Sequence, residues 1–271
     1  MPSSKYGKTA EVSFTGEFCF EILYVVADAY QSHLSNSLKS VACVETAPFY
    51  YFCSNVTELD EGRASMNSYG NPYHDIYKHD LNISQVHPFP PYKEHYSEVA
   101  REMGIHNTKP AILINNKSGI EHSSEGGNRF PLDCLEMIVN HYKDRQIYYI
   151  RPQPHLLPKD SWTEVVFEDK DFMRGFSNVS VDEDLMEEWD VNFNTMQLIA
   201  HSLSNTFFSA AGGNAFMSSL FGGTNTIFTD PIEPFCSRGV WKTDSYLKDF
   251  SGAKIIGVSN SEELRENLAF S

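Results

Sequence analysis

The chain has 271 residues, 41% hydrophobic and 13% aromatic, which is enough apolar material to bury one large core or two smaller ones and too much for a disordered segment. A formal net charge of −15 excludes indiscriminate nucleic-acid binding, which needs a basic face, but leaves room for a phosphorylated small molecule in a locally positive pocket. The cysteines, Cys19, Cys43, Cys53, Cys134 and Cys236, are scattered without a Cys-x-x-Cys pair, so free thiols in a reducing compartment are expected rather than a zinc ribbon. No run approaches the ~18 apolar residues of a membrane helix. Glu17 and Glu21 interrupt the one candidate signal segment, so the expected location is cytoplasmic and the Asn-x-Ser/Thr triplets are expected to be unused.

In chain order, residues 11–14 alternate as a short strand, a turn follows at Gly16, and apolar residues then recur at helical spacing through Ile22, Val25, Val26 and Ala29. Residues 41–44 and 50–53 read as further strands. Residues 67–96, rich in Asn, Pro, Tyr and His, carry no sustained period and read as long surface loops. Residues 111–114 form a continuous apolar run of the kind a buried parallel strand requires. Pro131 then opens an amphipathic helix with Leu132, Leu135, Ile138 and Val139 on one stripe. Residues 146–150 are the next strand, ending on Arg151, and residues 254–258 and 261–270 give a last strand and helix. Strands alternating with helices predict an α/β protein with parallel sheets. A boundary near residue 105 divides it into 1–105 and 106–271, two Rossmann-like lobes facing a central cleft.

The most specific stretch lies within the second of these. Residues 205–210 are a short apolar run that ends in Ala211, Gly212, Gly213 and Asn214. A small-residue helix follows, Gly222 and Gly223 stop it, and residues 225–229 supply another strand. A glycine pair between a strand end and a helix start exposes backbone N–H groups to an anion, usually a phosphate. The same pair also serves as a tight turn with no ligand, and the full dinucleotide fingerprint is absent.

These pieces, taken in order, resemble a family of GT-B glycosyltransferases found in bacterial polysaccharide clusters and among viral enzymes, of the algal-virus kind, that decorate capsid glycans. The resemblance runs through residues 16–23, 50–52 and 90–96, then residues 114–121 and the strand closing on Arg151 and Pro152. It is strongest over residues 194–223, with Gln197, Gly212, Gly213 and Asn214 at the centre. Residues 122–127 and 153–180 depart from the pattern. The resemblance implies a sugar moved from a nucleoside diphosphate sugar, with UDP-xylose as the donor guess, to a glycan acceptor hydroxyl. It implies a C-terminal donor lobe in which Asn116, Lys117, Glu121, Arg151, Gln197, Gly212, Gly213 and Asn214 bind the donor. Lys117 would compensate phosphate charge, Arg151 would present a fork to phosphate or base, and Glu121 would accept from hydroxyls; as solvated surface groups these residues would have no such role. For the acceptor proton, Glu17 and the pair His74 and Asp75 are the candidate bases. Asp182, Glu183 and Asp184 have a metal-diphosphate spacing but sit ahead of Leu185 to Trp189, where they read as acidic residues at a helix N-terminus, so no cofactor and no essential metal are expected. An epimerase or hydrolase on the same frame, or a glycan-binding protein without catalysis, are the rival readings.

Overall fold

The computed structural model describes residues 10–63, 88–117, 129–159, 168–229, 245 and 247–269. Its contacts gather into two compact units. The first holds Met1–Pro90 and a returning segment, Leu157–Ser161; the second holds Pro91–Leu156 and Trp162–Ser271.

In the first unit, β1 (Ala10–Ser13) leads through α1 (Phe18–Phe20) and a π turn (Glu21–Val25) into α2 (Val26–Leu34). Strands β2 (Leu38–Cys43) and β3 (Val56–Glu58) complete a parallel sheet in the order β1-β2-β3, with Val12 beside Val41 and Val41 beside Val56. The expected stripe of Ile22, Val25, Val26 and Ala29 is buried. Residues 50–53, expected as a strand, instead follow a 3-10 turn, Ala47–Tyr50, because Pro48 fixes the backbone at its start and Phe49 and Tyr50 turn inward. The unit is tied by a buried ion pair: Arg63 Nη1 lies 2.7 Å from Glu21 Oε2, while Thr46 and Tyr50 donate to the other carboxylate oxygen at 2.6 and 3.0 Å. Arg63 also donates to the carbonyls of Gly16 and Val44, so the turn after β1 and the end of β2 are held together.

The second unit is built on α3 (Tyr92–Glu102), β4 (Ala111–Asn115), α4 (Leu132–His141), β5 (Ile147–Ile150), α5 (Asp169–Arg174), β6 (Val179–Val181) and α6 (Asp182–Trp189). Then come α7 (Phe193–Ser202), β7 (Ser204–Ala210), α8 (Gly213–Ser219), β8 (Thr224–Phe228), α9 (Lys248–Ser251), β9 (Lys254–Val258) and α10 (Ser261–Ala269). Six parallel strands stand in the order β6-β5-β4-β7-β8-β9. On one face Ile112, Ile114, Ile147, Tyr149 and Phe208 pack with Leu135 and Ile138 of α4 and Leu264 of α10. Period-two alternation turns Leu113, Asn115 and Phe207 to the opposite face. Leu132, placed on the buried stripe by its spacing, is 37% exposed, and Cys134 takes the inward position.

The expectation of loops over residues 67–96 gives way from Tyr92 onward. Tyr92, Tyr96 and Ala100, each one helical turn apart, form the buried stripe of α3. This helix packs on α7, with Lys93 Nζ donating to the Ser204 carbonyl at 3.0 Å, so it belongs to the second unit, although the sequence reading assigned it to the first lobe.

Candidate functional site

The sheet order of the second unit contains one topological switch. From β4 the chain moves outward to β5 and β6, then returns to the other side of β4 as β7 and continues to β8 and β9. The connections after β4 and β7 therefore leave the sheet on opposite faces and open a crevice outside the carboxyl ends of these two strands, the usual ligand position in an open α/β sheet. Asn115 ends β4, Asn116 and Lys117 follow it, and Ala211, Gly212, Gly213 and Asn214 follow β7.

The turn after β7 needs glycine. Gly212 has φ +132°, a conformation that L side chains rarely adopt, and a Cβ added there would stand 3.4 Å from Lys117 Nζ. Lys117, from the neighbouring strand, thus holds its ammonium against this turn. Gly213 and Asn214 begin α8, where helix geometry leaves their N–H groups without a carbonyl inside the helix. Asn214 Nδ2 donates to the Asn116 carbonyl at 2.9 Å and pins the start of α8 to the end of β4.

Beneath this clamp lies a buried polar chain. Asn116 accepts from the Phe130 N–H at 2.9 Å and donates to the Tyr149 hydroxyl at 2.9 Å. Tyr149 donates to Asp169 in a short hydrogen bond, and Asp169 Oδ1 lies 2.8 Å from Arg151 Nε. The Arg151 N–H donates to Asp182, which also pairs with Lys170 at 2.7 Å. Burial lifts the Asp169 carboxyl above its usual range despite Tyr149 and Arg151, and burial with the neighbouring Asp169 charge holds the Tyr149 hydroxyl well above its own. Gln197 is also internal: its amide donates to Asn194 and its carbonyl receives the His201 Nδ1–H at 2.6 Å.

The sequence-predicted donor residues therefore separate. Lys117, Gly212, Gly213 and Asn214 converge at the mouth of the switch point. Asn116 and Arg151 lie under it with their side chains engaged in the protein, and Gln197 lies inside α7. Glu121, His74 and Asp75 lie outside the described residues. Glu17, in the first unit, precedes α1 and accepts a hydrogen bond from the Cys19 thiol at 3.0 Å. Asp182, Glu183 and Asp184 form the first turn of α6, where Lys170 and Arg174 pair with them. Among the described residues no group of His, Cys, Asp and Glu is arranged to hold a metal ion, and no helix is long and apolar enough to cross a membrane.

Three residues were missed by sequence reasoning. Tyr149 reads as one more strand position, and Asp169 falls in the stretch 153–180 that departs from the family pattern. Asn115 ends an apolar strand with an amide that is 0% exposed and has no hydrogen-bond partner among the described residues. A polar residue closing a hydrophobic run is the one local signal for it.

No protein-family model and no curated protein matches this sequence. Among solved structures, the ADP-heptose LPS heptosyltransferase II of E. coli is similar with a TM-score of 0.52 and 7% identity, over 83% of this chain and 85% of that one. A family 9 glycosyl transferase from Veillonella parvula gives a TM-score of 0.48 and 9% identity over 96% and 88% of the two chains. The UDP-GlcNAc 2-epimerase of Neisseria meningitidis gives 0.40 and 12% over 90% and 71%. The fold is GT-B-like. The expected α/β architecture with parallel sheets is the one found, and the crevice at β4 and β7 lies in the second of its two Rossmann-like units.

Proposed function

We propose that the chain is a glycosyltransferase that moves a sugar from a nucleoside diphosphate sugar to an acceptor hydroxyl of a glycan. The observation that carries this reading is the Lys117 ammonium held against the Gly212 turn at the switch point. A diphosphate seated there meets a cation and the N–H groups of Gly213 and Asn214, and the Asn214–Asn116 clamp fixes those groups before the ligand arrives. As the glycosidic bond breaks, negative charge grows on the departing diphosphate, and the same groups stabilise it. Arg151, paired with Asp169, serves as a rigid floor rather than as a phosphate fork. Glu17 is the proposed base for the acceptor hydroxyl, with His74 and Asp75 as the other candidates, and Glu121 is the proposed contact to donor hydroxyls. The similar E. coli heptosyltransferase is named for ADP-heptose, and the sequence resemblance suggests UDP-xylose, so ADP- and UDP-sugars are the first donors to try.

The reading is tested by thermal shift with UDP, ADP, GDP and CMP, since a ligand of the native state raises its apparent stability. At least one nucleoside diphosphate should raise the melting temperature, and Lys117→Met should weaken that binding about tenfold or more by removing a charge-assisted contact. EDTA should leave the shift in place. Glycan-dependent shifts with none from nucleotides would sink the transferase reading in favour of a glycan-binding protein. Donor breakdown without an acceptor product would favour an epimerase or hydrolase.

A further inference from the structure

A second cavity of about 410 Å³ opens in the same unit at the opposite end of its sheet. It is lined by residues 103–107 ahead of β4, His106 among them, by Gln146 at the entry to β5, by Ser180 of β6 and by Leu185, Glu188 and Trp189 of α6. Its size is that of a small-molecule site. Its floor is aromatic, with Trp189 set edge-on to Tyr148 at 5.5 Å between ring centroids.

Three acceptors of this cavity take no hydrogen bond from the described residues, and His106 and Trp189, which carry ring N–H groups, also line it. Asn107 Nδ2 donates to the Tyr148 hydroxyl at 2.8 Å, and Gln146 Nε2 donates to Ser180 Oγ at 3.1 Å and to the Ile147 carbonyl at 3.2 Å. Each amide nitrogen thereby gives at least one of its hydrogens to the protein. Among the described residues, Asn107 Oδ1, Gln146 Oε1 and the Glu188 carboxylate accept no hydrogen bond. Burial raises the Tyr148 hydroxyl above its ordinary range, and the nearby negative charge of Glu188 adds to the rise. Two amide oxygens and a carboxylate over an aromatic floor complement a ligand that donates hydrogen bonds and carries positive charge. Glu188 is the one carboxylate of the lining, and its charge disfavours a phosphate or carboxylate ligand.

We propose that this cavity binds a primary ammonium group, with Glu188 as its counter-charge and Asn107 and Gln146 as acceptors. An amino sugar and a lysine side chain share that chemistry. The site is independent of the diphosphate crevice, so its test does not depend on the glycosyltransferase reading.

The test is titration of the full chain in neutral buffer with glucosamine and, separately, with Nα-acetyl-lysinamide, with glucose and N-acetylglucosamine as neutral controls. Binding is followed by thermal shift and Trp fluorescence. At least one amine should give a saturable response while the neutral sugars give none, and Glu188→Gln should weaken it about tenfold, the effect of losing a charge-assisted hydrogen bond. Glu188 is exposed, so the variant should melt with the wild type when no amine is present. A response to glucosamine alone assigns an amino sugar, and one to lysinamide alone assigns a peptide side chain. Equal responses to neutral sugars, no response to either amine, or undiminished binding by Glu188→Gln would each overturn the proposal.

Discussion

At the scale of single residues, the two glycine pairs of the second unit do different work. Gly212 shapes the site, whereas Gly223 allows a close approach of backbones: with φ +69°, a Cβ there would stand 2.1 Å from the Asn205 carbonyl oxygen. That contact can be relieved only by moving β7 against the turn. Gly223→Ala should therefore destabilise the second unit by at least about 2 kcal/mol, combining left-handed strain with the clash, as read by urea denaturation. A change below about half that value would show that the turn relaxes freely. The difference between Lys117 and Arg151 belongs to the same scale. Lys117→Met removes a half-buried cation at the mouth, whereas Arg151→Ala leaves the Asp169 carboxylate buried without its counter-charge and should lower stability before any ligand is added. Both basic residues follow a strand end in sequence, and only the three-dimensional pairing with Asp169 tells them apart.

At the scale of elements, α7 and α8 are joined through a buried imidazole. His201 on α7 donates from Nδ1 to the Gln197 carbonyl, which leaves Nε2 to accept from Ser218 of α8 at 3.1 Å. The ring stacks on Phe207 with centroids 5.8 Å apart, and burial holds its pKa down, from 6.5 to about 4. The unfolded chain takes up a proton on this residue near pH 6.5 and the folded chain does so only near pH 4, so the stabilisation is complete above pH 6.5 and is lost as pH falls through that interval. The loss should amount to about 3 kcal/mol. The Glu21, Asp169 and Asp182 carboxyls, raised by burial, act in the opposite direction as they protonate. The measurement is thus the difference between wild type and His201→Asn across this range, which should narrow as the pH is lowered; a constant difference would mean that the ring is already charged in the fold. The partner Ser218 stands 17 residues further on, and no spacing in the chain announces the pair, because the contact depends on how α8 lies across β7 and β8.

At the scale of the whole molecule, each unit has a buried core of its own, and the first depends on the Glu21–Arg63 pair. Burial pushes the Glu21 carboxyl up, while Arg63, Thr46 and Tyr50 hold it partly back. Removing the cation alone should cost about 3–5 kcal/mol, because it leaves a charge in a dry site, whereas replacing both partners with apolar groups should recover much of the loss. In calorimetry, Arg63→Met should lower the transition of the first unit more than that of the second, and Glu21→Leu combined with Arg63→Met should restore most of it. An equal fall in both transitions would mean that the units unfold as one.

The sequence by itself determined the alternation of strands and helices, the buried parallel strands at 111–115 and 147–150, and the glycine turn, because periodicity and backbone permissiveness are local properties of the chain. It misplaced α3 and the turn at Ala47–Tyr50, where proline-rich segments carry a weak period and long-range packing decides the outcome. Tertiary structure alone decided the order of the strands, and with it which loops share an edge. That order brings Lys117 to Gly212 across 95 residues of sequence, turns Arg151 inward against Asp169, and opens the acceptor-rich cavity at the far end of the sheet. Spacing along the chain carries no information about these meetings, because each depends on where the chain crosses back past β4.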